Sequence, residues 1–324
     1  MVNIQKNVLL APYTTFKIGG PAKYFVEAKS IEEVQEFCVF AKEKELPIFI
    51  LGGGSNVLIS DQGFKGLVIK IKDSENKESN FRFGGNGHGV KLLEVWVGTP
   101  LSKLVANTTN TGLSGLEWAI GIPGTVGGAI CGNTGAFGKE MADSIQSVKV
   151  FNHQDASISD FKKENCDFSY RDSIFKQGDN LTIIGATLTF KKDAPELIQE
   201  RLRKNIKQRT ESFAHNYKCA GCFFKNIEWK RRGINKEDVL KRFPELGQFA
   251  DRSKISAGFL IESVGLRGKK IDDVVVSEEH ANFILNLGNA NAEQILMLSG
   301  LVKDRVYSKY GFSLEEEVNL IGFD

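Results

Sequence analysis

Apolar positions change period several times along the first part of the chain. Ile31, Val34, Phe37, Cys38 and Ala41 recur three and four residues apart, the spacing of one helix face. Ser30 and Glu33 give that helix a capping-box start. The pattern ends at Leu46-Pro47, and short apolar runs at 48–51, 57–59 and 66–71 read as strands. Strand, helix and strand alternating over residues 22–71 predict a small α/β unit. Residues 72–89 are polar and glycine-rich and predict a boundary loop, with 84–89 as a flexible hairpin. A strand at 93–97 and a helix at 102–111 follow. Residues 112–138 hold many glycines and show no helical pattern, and short strands dominate 148–190. A charged helix over 195–211 marks the boundary into a further region. The last long helix is expected over 292–310, closed by Gly311, with a final strand at 318–321.

Composition narrows the class. The chain has 324 residues, 41% hydrophobic and 25% charged, with a net charge of +2. That length suits two or three domains, and the charge points to neither nucleic acid nor an anionic membrane. No apolar run approaches a membrane span, and the N-terminus lacks a signal-peptide core. A cytoplasmic protein is expected. Five cysteines, at 38, 131, 166, 219 and 222, argue against a disulfide framework. Cys219-Ala-Gly-Cys222 is a lone CxxC, and His88, His153, His215 and His280 are scattered, so no metal site is expected. A redox dithiol would open a helix, whereas this pair precedes Phe223-Phe224, which reads as strand.

Two glycine turns carry the first chemical signal. Leu51 ends one predicted strand, and Gly52-Gly53-Gly54-Ser55-Asn56 lies between it and the next. Successive glycines permit positive φ, so neighbouring N–H groups can converge on an anion. The segment is neither a P-loop nor a GxGxxG opening a helix. By itself it reads equally as a hairpin. The second turn contains Gly121, Ile122, Pro123, Gly124, Thr125, Gly127, Gly128 and Ala129. Two such turns, each beside small hydroxyl residues, suit a long ligand such as a dinucleotide.

Several segments then resemble one family in order. They are Tyr13-Thr-Thr-Phe-Lys-Ile-Gly-Gly-Pro-Ala22, the first glycine turn, Gly112-Leu-Ser-Gly-Leu-Glu117, the second glycine turn, Asn133-Thr-Gly-Ala-Phe-Gly138, Phe168-Ser-Tyr-Arg-Asp-Ser173, Ala220-Gly-Cys-Phe-Phe-Lys-Asn226, Gly265-Leu-Arg-Gly268, the stretch 277–282, and Leu314-Glu-Glu-Glu-Val318. The chain is similar to the UDP-N-acetylenolpyruvoylglucosamine reductases over nearly its whole length. The resemblance implies an α+β architecture: a two-subdomain FAD-binding fold of the PCMH (vanillyl-alcohol-oxidase) type plus a C-terminal α/β substrate-binding domain. The corresponding limits are 1–71, 72–192 and 193–324, with the last strand, about 314–324, a candidate to return to the FAD domain. It implies noncovalent FAD, since no histidine lies near the first turn, and the family variant lacking a tyrosine-bearing substrate loop. NADPH is the implied co-substrate, a UDP-sugar the substrate, and a monomer the expected state. Another noncovalent FAD oxidoreductase of the same superfamily is the rival reading.

The implied reaction reduces an enolpyruvyl ether to a lactyl ether in peptidoglycan precursor synthesis. It needs a cation facing the substrate carboxylate and a proton donor facing the adjacent carbon. By resemblance, Arg171 is the cation, Glu317 supports the enolic charge, and Cys222 stands where relatives carry a serine proton donor. A thiol, with an ordinary pKa near ~8.5, is a stronger acid than a hydroxyl. Tyr170, Lys225, Asn226, His280 and Asn282 are further candidate substrate contacts. Residues 227–256, including Trp229 and a helix-like 236–242, read as a surface insertion.

Overall fold

The computed structural model describes residues 4–74, 81–87, 90–178, 180–212 and 217–323. Its strands and helices divide into two compact units. One comprises the residues through Val8, Ala22–Gly54 and Phe64–Glu211; the other comprises Leu9–Pro21, Ser55–Gly63 and everything from Ser212. Among the described residues no helix is long and apolar enough to cross a membrane.

The chain opens with β1 (Gln5–Leu9), β2 (Pro21–Ala28), α1 (Ile31–Glu43), β3 (Ile48–Leu51), β4 (Val57–Ile59) and β5 (Phe64–Ile71). Ser30 Oγ accepts from Glu33 N at 3.3 Å, and α1 buries Val34, Phe37, Cys38 and Ala41 as its spacing predicts. The capping box is only half made, because Glu33 Oε2 accepts from Lys29 N (2.6 Å), one residue before the cap. The sheet order is β1-β2-β5-β3, with β2 and β3 both parallel to β5. Parallel neighbours need a crossover, which α1 supplies. The central strand is accordingly apolar, with Leu67, Val68 and Ile69 fully buried.

Next come β6 (Phe81–Gly87), β7 (Val90–Val95), α2 (Leu101–Asn110), β8 (Leu113–Ser114), α3 (Val126–Cys131), a small hairpin of β9 (Gly135–Ala136) and β10 (Lys139–Glu140), then β11 (Ile145–Asn152), β12 (Ile158–Lys162), β13 (Leu181–Lys192) and α4 (Pro195–Ser212). The order β12-β11-β13-β7-β6 forms an antiparallel sheet, with β8 also on β13. Of the predicted hairpin at 84–89, residues 84–87 belong to β6, which pairs with β7, and residues 88 and 89 lie outside the described residues. Residues 112–138, read as having no helix, contain α3 and a 3-10 turn at Glu117–Ala119. One apolar core, with Leu104, Phe151, Ile184 and Phe190, fills this unit.

The second unit holds β14 (Ile227–Glu228), α5 (Lys236–Arg242), β15 (Lys254–Ile255), α6 (Ala257–Ser263), β16 (Lys270–Ile271), β17 (Val274–Val276), β18 (Ile284–Asn286), α7 (Ala292–Tyr310) and β19 (Asn319–Ile321). Strands β16, β17 and β18 form an antiparallel sheet, and β19 runs parallel to β4. Helix α7 starts at Asn291, whose side chain accepts from Gln294 N (2.9 Å), and ends at Gly311 with φ 74°. Asp61 adds a second cap, its carboxylate accepting from Ala292 N at 2.9 and 3.1 Å. A separate core gathers Phe16, Ile18, Leu58, Phe223, Phe224, Leu260 and Val302. Residues 227–256 are not merely superficial: Trp229, Leu246, Phe249 and Ile255 are buried in that core, so the stretch is part of the unit's interior.

Candidate functional site

The candidate residues fall into two groups, one in each unit. In the first unit the two glycine turns meet. A Cβ on Gly52 would lie 2.6 Å from Thr125 Oγ1, and one on Gly53 would lie 2.5 Å from Gly124 Cα. Both distances are shorter than a real Cβ contact: Gly53 is demanded by the approach of the Gly124 backbone, and Gly52 leaves room for the Thr125 hydroxyl. The second turn is fixed from behind. Leu101 N donates to Gly124 O (3.0 Å), Val126 N to Thr99 O (2.9 Å) and Gly127 N to Val97 O (2.9 Å). Thr125 caps α3, its hydroxyl accepting from Gly128 N at 3.4 Å. Gly53, Gly121 and Gly128 remain exposed along the joined turns, which leaves bare backbone available to an anion. This cradle fits a diphosphate, and within this unit Leu51 to Gly54 with Gly121 to Ala129 would hold it; Ser55 and Asn56 belong to the second unit.

A cation unread in the sequence stands beside the first turn. Lys70, partner of Leu51 in the β3–β5 register, donates from Nζ to Gly52 O. Burial pushes its pKa down; Glu27 opposes that and Lys72 adds to it.

Arg171 occupies a tight turn in the same unit. Ser169 N donates to Asp172 O (3.1 Å) and Asp172 N to Ser169 O (3.2 Å), leaving Tyr170 and Arg171 at the tip. Arg171 has φ 60°, uncommon for a residue with a side chain. Its guanidinium carbon lies 5.6 Å from the Tyr170 ring centroid.

In the second unit, residues 222–226 lie between two neighbouring segments. Phe223 N donates to Asn282 O (2.7 Å), and Cys222 bridges Phe283. On the other side Lys225 N donates to Glu315 O and Glu317 N to Phe223 O, both at 2.8 Å. Phe223-Phe224, read as a strand, is held by isolated bridges instead, because Gly221 (φ 76°) bends the chain just before it. Asn282 is buried, with Oδ1 accepting from Phe224 N (3.0 Å) and Nδ2 donating to Phe224 O (2.8 Å). Asn226 Oδ1 accepts from Ala257 N at the start of α6 (2.9 Å). His280 Nδ1 accepts from Asn282 N (3.3 Å), and burial holds its pKa below 6.5. Asn56, which belongs to this same unit, donates from Nδ2 to Glu317 O (3.2 Å).

Partners separate the three consecutive glutamates. Glu315 pairs with Arg231 (2.9 Å) and Lys225 (3.9 Å), and Glu316 with Lys303 (2.9 Å). Burial also pushes the Cys219 thiol up, although Gly221 N–H partly offsets it.

Known proteins place these features in a lineage. A family model described as the C-terminal domain of UDP-N-acetylenolpyruvoylglucosamine reductase matches residues 213–321, and a model described as an FAD binding domain matches 22–161. Proteins named UDP-N-acetylenolpyruvoylglucosamine reductase from Protochlamydia amoebophila and Anoxybacillus flavithermus are 38% and 36% identical. They cover 99% and 98% of this chain and 94% of their own lengths. The crystal structure of the Thermus caldophilus reductase (MurB) superposes with a TM-score of 0.75 at 31% identity, covering 99% of this chain and 100% of that one. With that structure it shares an α+β fold. The chain therefore belongs to the UDP-N-acetylenolpyruvoylglucosamine reductase family of oxidoreductases.

Proposed function

We propose that the protein reduces UDP-N-acetylenolpyruvoylglucosamine to UDP-N-acetylmuramate, with FAD as prosthetic group and NADPH as electron donor. The observation that supports this most is the chain-long likeness to proteins bearing the reductase name. FAD, when bound, supplies the hydride chemistry.

The protein's own groups do the rest. The joined glycine turns would hold the diphosphate of FAD, with Lys70 bonded to the Gly52 carbonyl. Arg171 meets the substrate carboxylate with the planar fork of its guanidinium, which favours the negative charge developing on its oxygens. Cys222 delivers a proton to the carbon beside that carboxylate, and Glu317 supports the enolic intermediate. Tyr170 and Lys225 contact the substrate. Asn226, His280 and Asn282 shape the segment around Cys222, each through a backbone bond.

An assay of NADPH consumption on flavin-replete protein tests the reading. Oxidation is expected only when UDP-N-acetylenolpyruvoylglucosamine is present. Substrate-independent oxidation, or none at all, overturns it. Changing Cys222 to Ala is expected to slow turnover on the order of 10²–10⁴-fold. Near-normal turnover in that variant removes Cys222 from the proton-transfer role while leaving the overall reaction intact.

A further inference from the structure

The Arg171 turn is short and strained, so something outside it must fix its direction. Asn133 does this from a buried position. It is 1% exposed and has φ 39°, a left-handed conformation that its own N–H bond to Ile130 O (3.0 Å) helps hold. One end of its amide donates from Nδ2 to Ser169 O (2.9 Å), the carbonyl at the base of the arginine turn. The other end accepts at Oδ1 from Ala142 N (3.1 Å), in the 3-10 turn Met141–Asp143.

Ser173 pins the far side of the same turn. It is fully buried and donates from Oγ to Cys131 O (2.6 Å). Both anchors lie at the C-terminal end of α3. That helix begins at Thr125, within the second glycine turn. A continuous set of bonded elements therefore runs from the diphosphate cradle through six helical residues to the base of the Arg171 turn.

We propose that Asn133 is a positioning residue, whose side-chain amide ties the Tyr170–Arg171 turn to α3 and so sets where the guanidinium points relative to the flavin cradle. This rests on Arg171 being the group that meets the substrate carboxylate. Misplacing a charged group by about 1 Å can cost on the order of 10²-fold in rate. Without the amide, Ser169 O keeps its bond from Asp172 N and Ser173 its bond to Cys131 O, so the turn persists but loses its tie at Ser169.

The test separates the two half-reactions of the holoenzyme. Flavin is reduced with dithionite, and its reoxidation by UDP-N-acetylenolpyruvoylglucosamine is followed anaerobically in a stopped-flow instrument. Asn133→Asp keeps the acceptor for Ala142 N but removes the donor to Ser169 O. It is expected to reoxidise at least ~10-fold more slowly, with flavin content and the rate of flavin reduction by NADPH within about twofold of the parent. Adding Asn133→Asp to Arg171→Ala is expected to slow reoxidation no further. Reoxidation at the parent rate overturns the proposal, as does an equal fall in both half-reactions or full additivity with Arg171→Ala. Should the Asp variant fail to retain flavin, Asn133→Ser carries the same comparison. A normal reoxidation rate in Arg171→Ala alone would instead remove the arginine from the reaction, a separate failure.

Discussion

At the scale of single residues, Lys70 shows how a side chain acts through its register. It follows Leu67, Val68 and Ile69 in β5 and precedes Ile71, an otherwise apolar run. Its ammonium holds the Gly52 carbonyl, within the first glycine turn. Removing the ammonium with Lys70→Met is expected to weaken FAD binding about 10-fold, or ~1.4 kcal/mol. Fluorescence titration of apoprotein with FAD measures this, and unchanged affinity would sink the assignment. In the sequence Lys70 looks like the solvent-facing position of a strand. Its role comes from pairing with Leu51 across a parallel crossover, which no local pattern contains. The glycine turns were legible as motifs for the opposite reason: close backbone approach leaves a residue type behind. Asn133 stood within a recognised motif, yet its bonds to Ser169 and Ala142 are tertiary and left no signal of their own.

At the scale of elements, the 3-10 turn Glu117–Ala119 is tied to α4 by charge. Glu117 is 4% exposed and accepts from Gly115 N (2.8 Å) and Arg201 Nε (2.9 Å), while Arg201 also reaches Asp193 (2.5 Å) and Ser114 (3.1 Å). Burial raises the Glu117 pKa, but hydrogen bonds from its own and Gly115 N–H groups, Ser114 and Arg201 together bring it below 4.5. A depressed carboxylate binds fewer protons in the folded state. Its stabilisation is therefore complete above pH 4.5 and lost as pH falls through the lower folded-state value. Glu117→Gln is expected to cost about 1–3 kcal/mol at neutral pH. The difference in Tm between parent and variant should narrow below pH ~4; a constant gap contradicts the ion-pair account. Helices α1, α5 and α7 were legible because each is long enough to show a face or carries its own caps. Helix α3 was not: it has six residues, two of them glycine, and its cap lies inside a turn that reads as ligand-binding.

At the scale of the whole molecule, the second unit is assembled from three separated stretches. Residues 55–63 supply β4, the partner of β19, and Asp61, the second cap of α7. Residues 9–21 supply Phe16 and Ile18 to its core, and Asn286 Nδ2 donates to Phe16 O (2.8 Å). A fragment beginning at Ser212 is thus expected not to unfold cooperatively when expressed alone. A sharp calorimetric transition from that fragment would contradict this. Asp61→Ala in the full chain is expected to lose about 1 kcal/mol, read by urea denaturation.

That interleaving also constrains how such a protein can be recombined. The chain passes between units after Val8, Pro21, Gly54, Gly63 and Glu211. A chimera with a single junction near residue 211 would draw Phe16, Ile18 and Leu58 from one parent and their core neighbours from the other. Exchange with a relative should therefore succeed only when the junctions are made as a set, so that three distant pieces of the gene travel together.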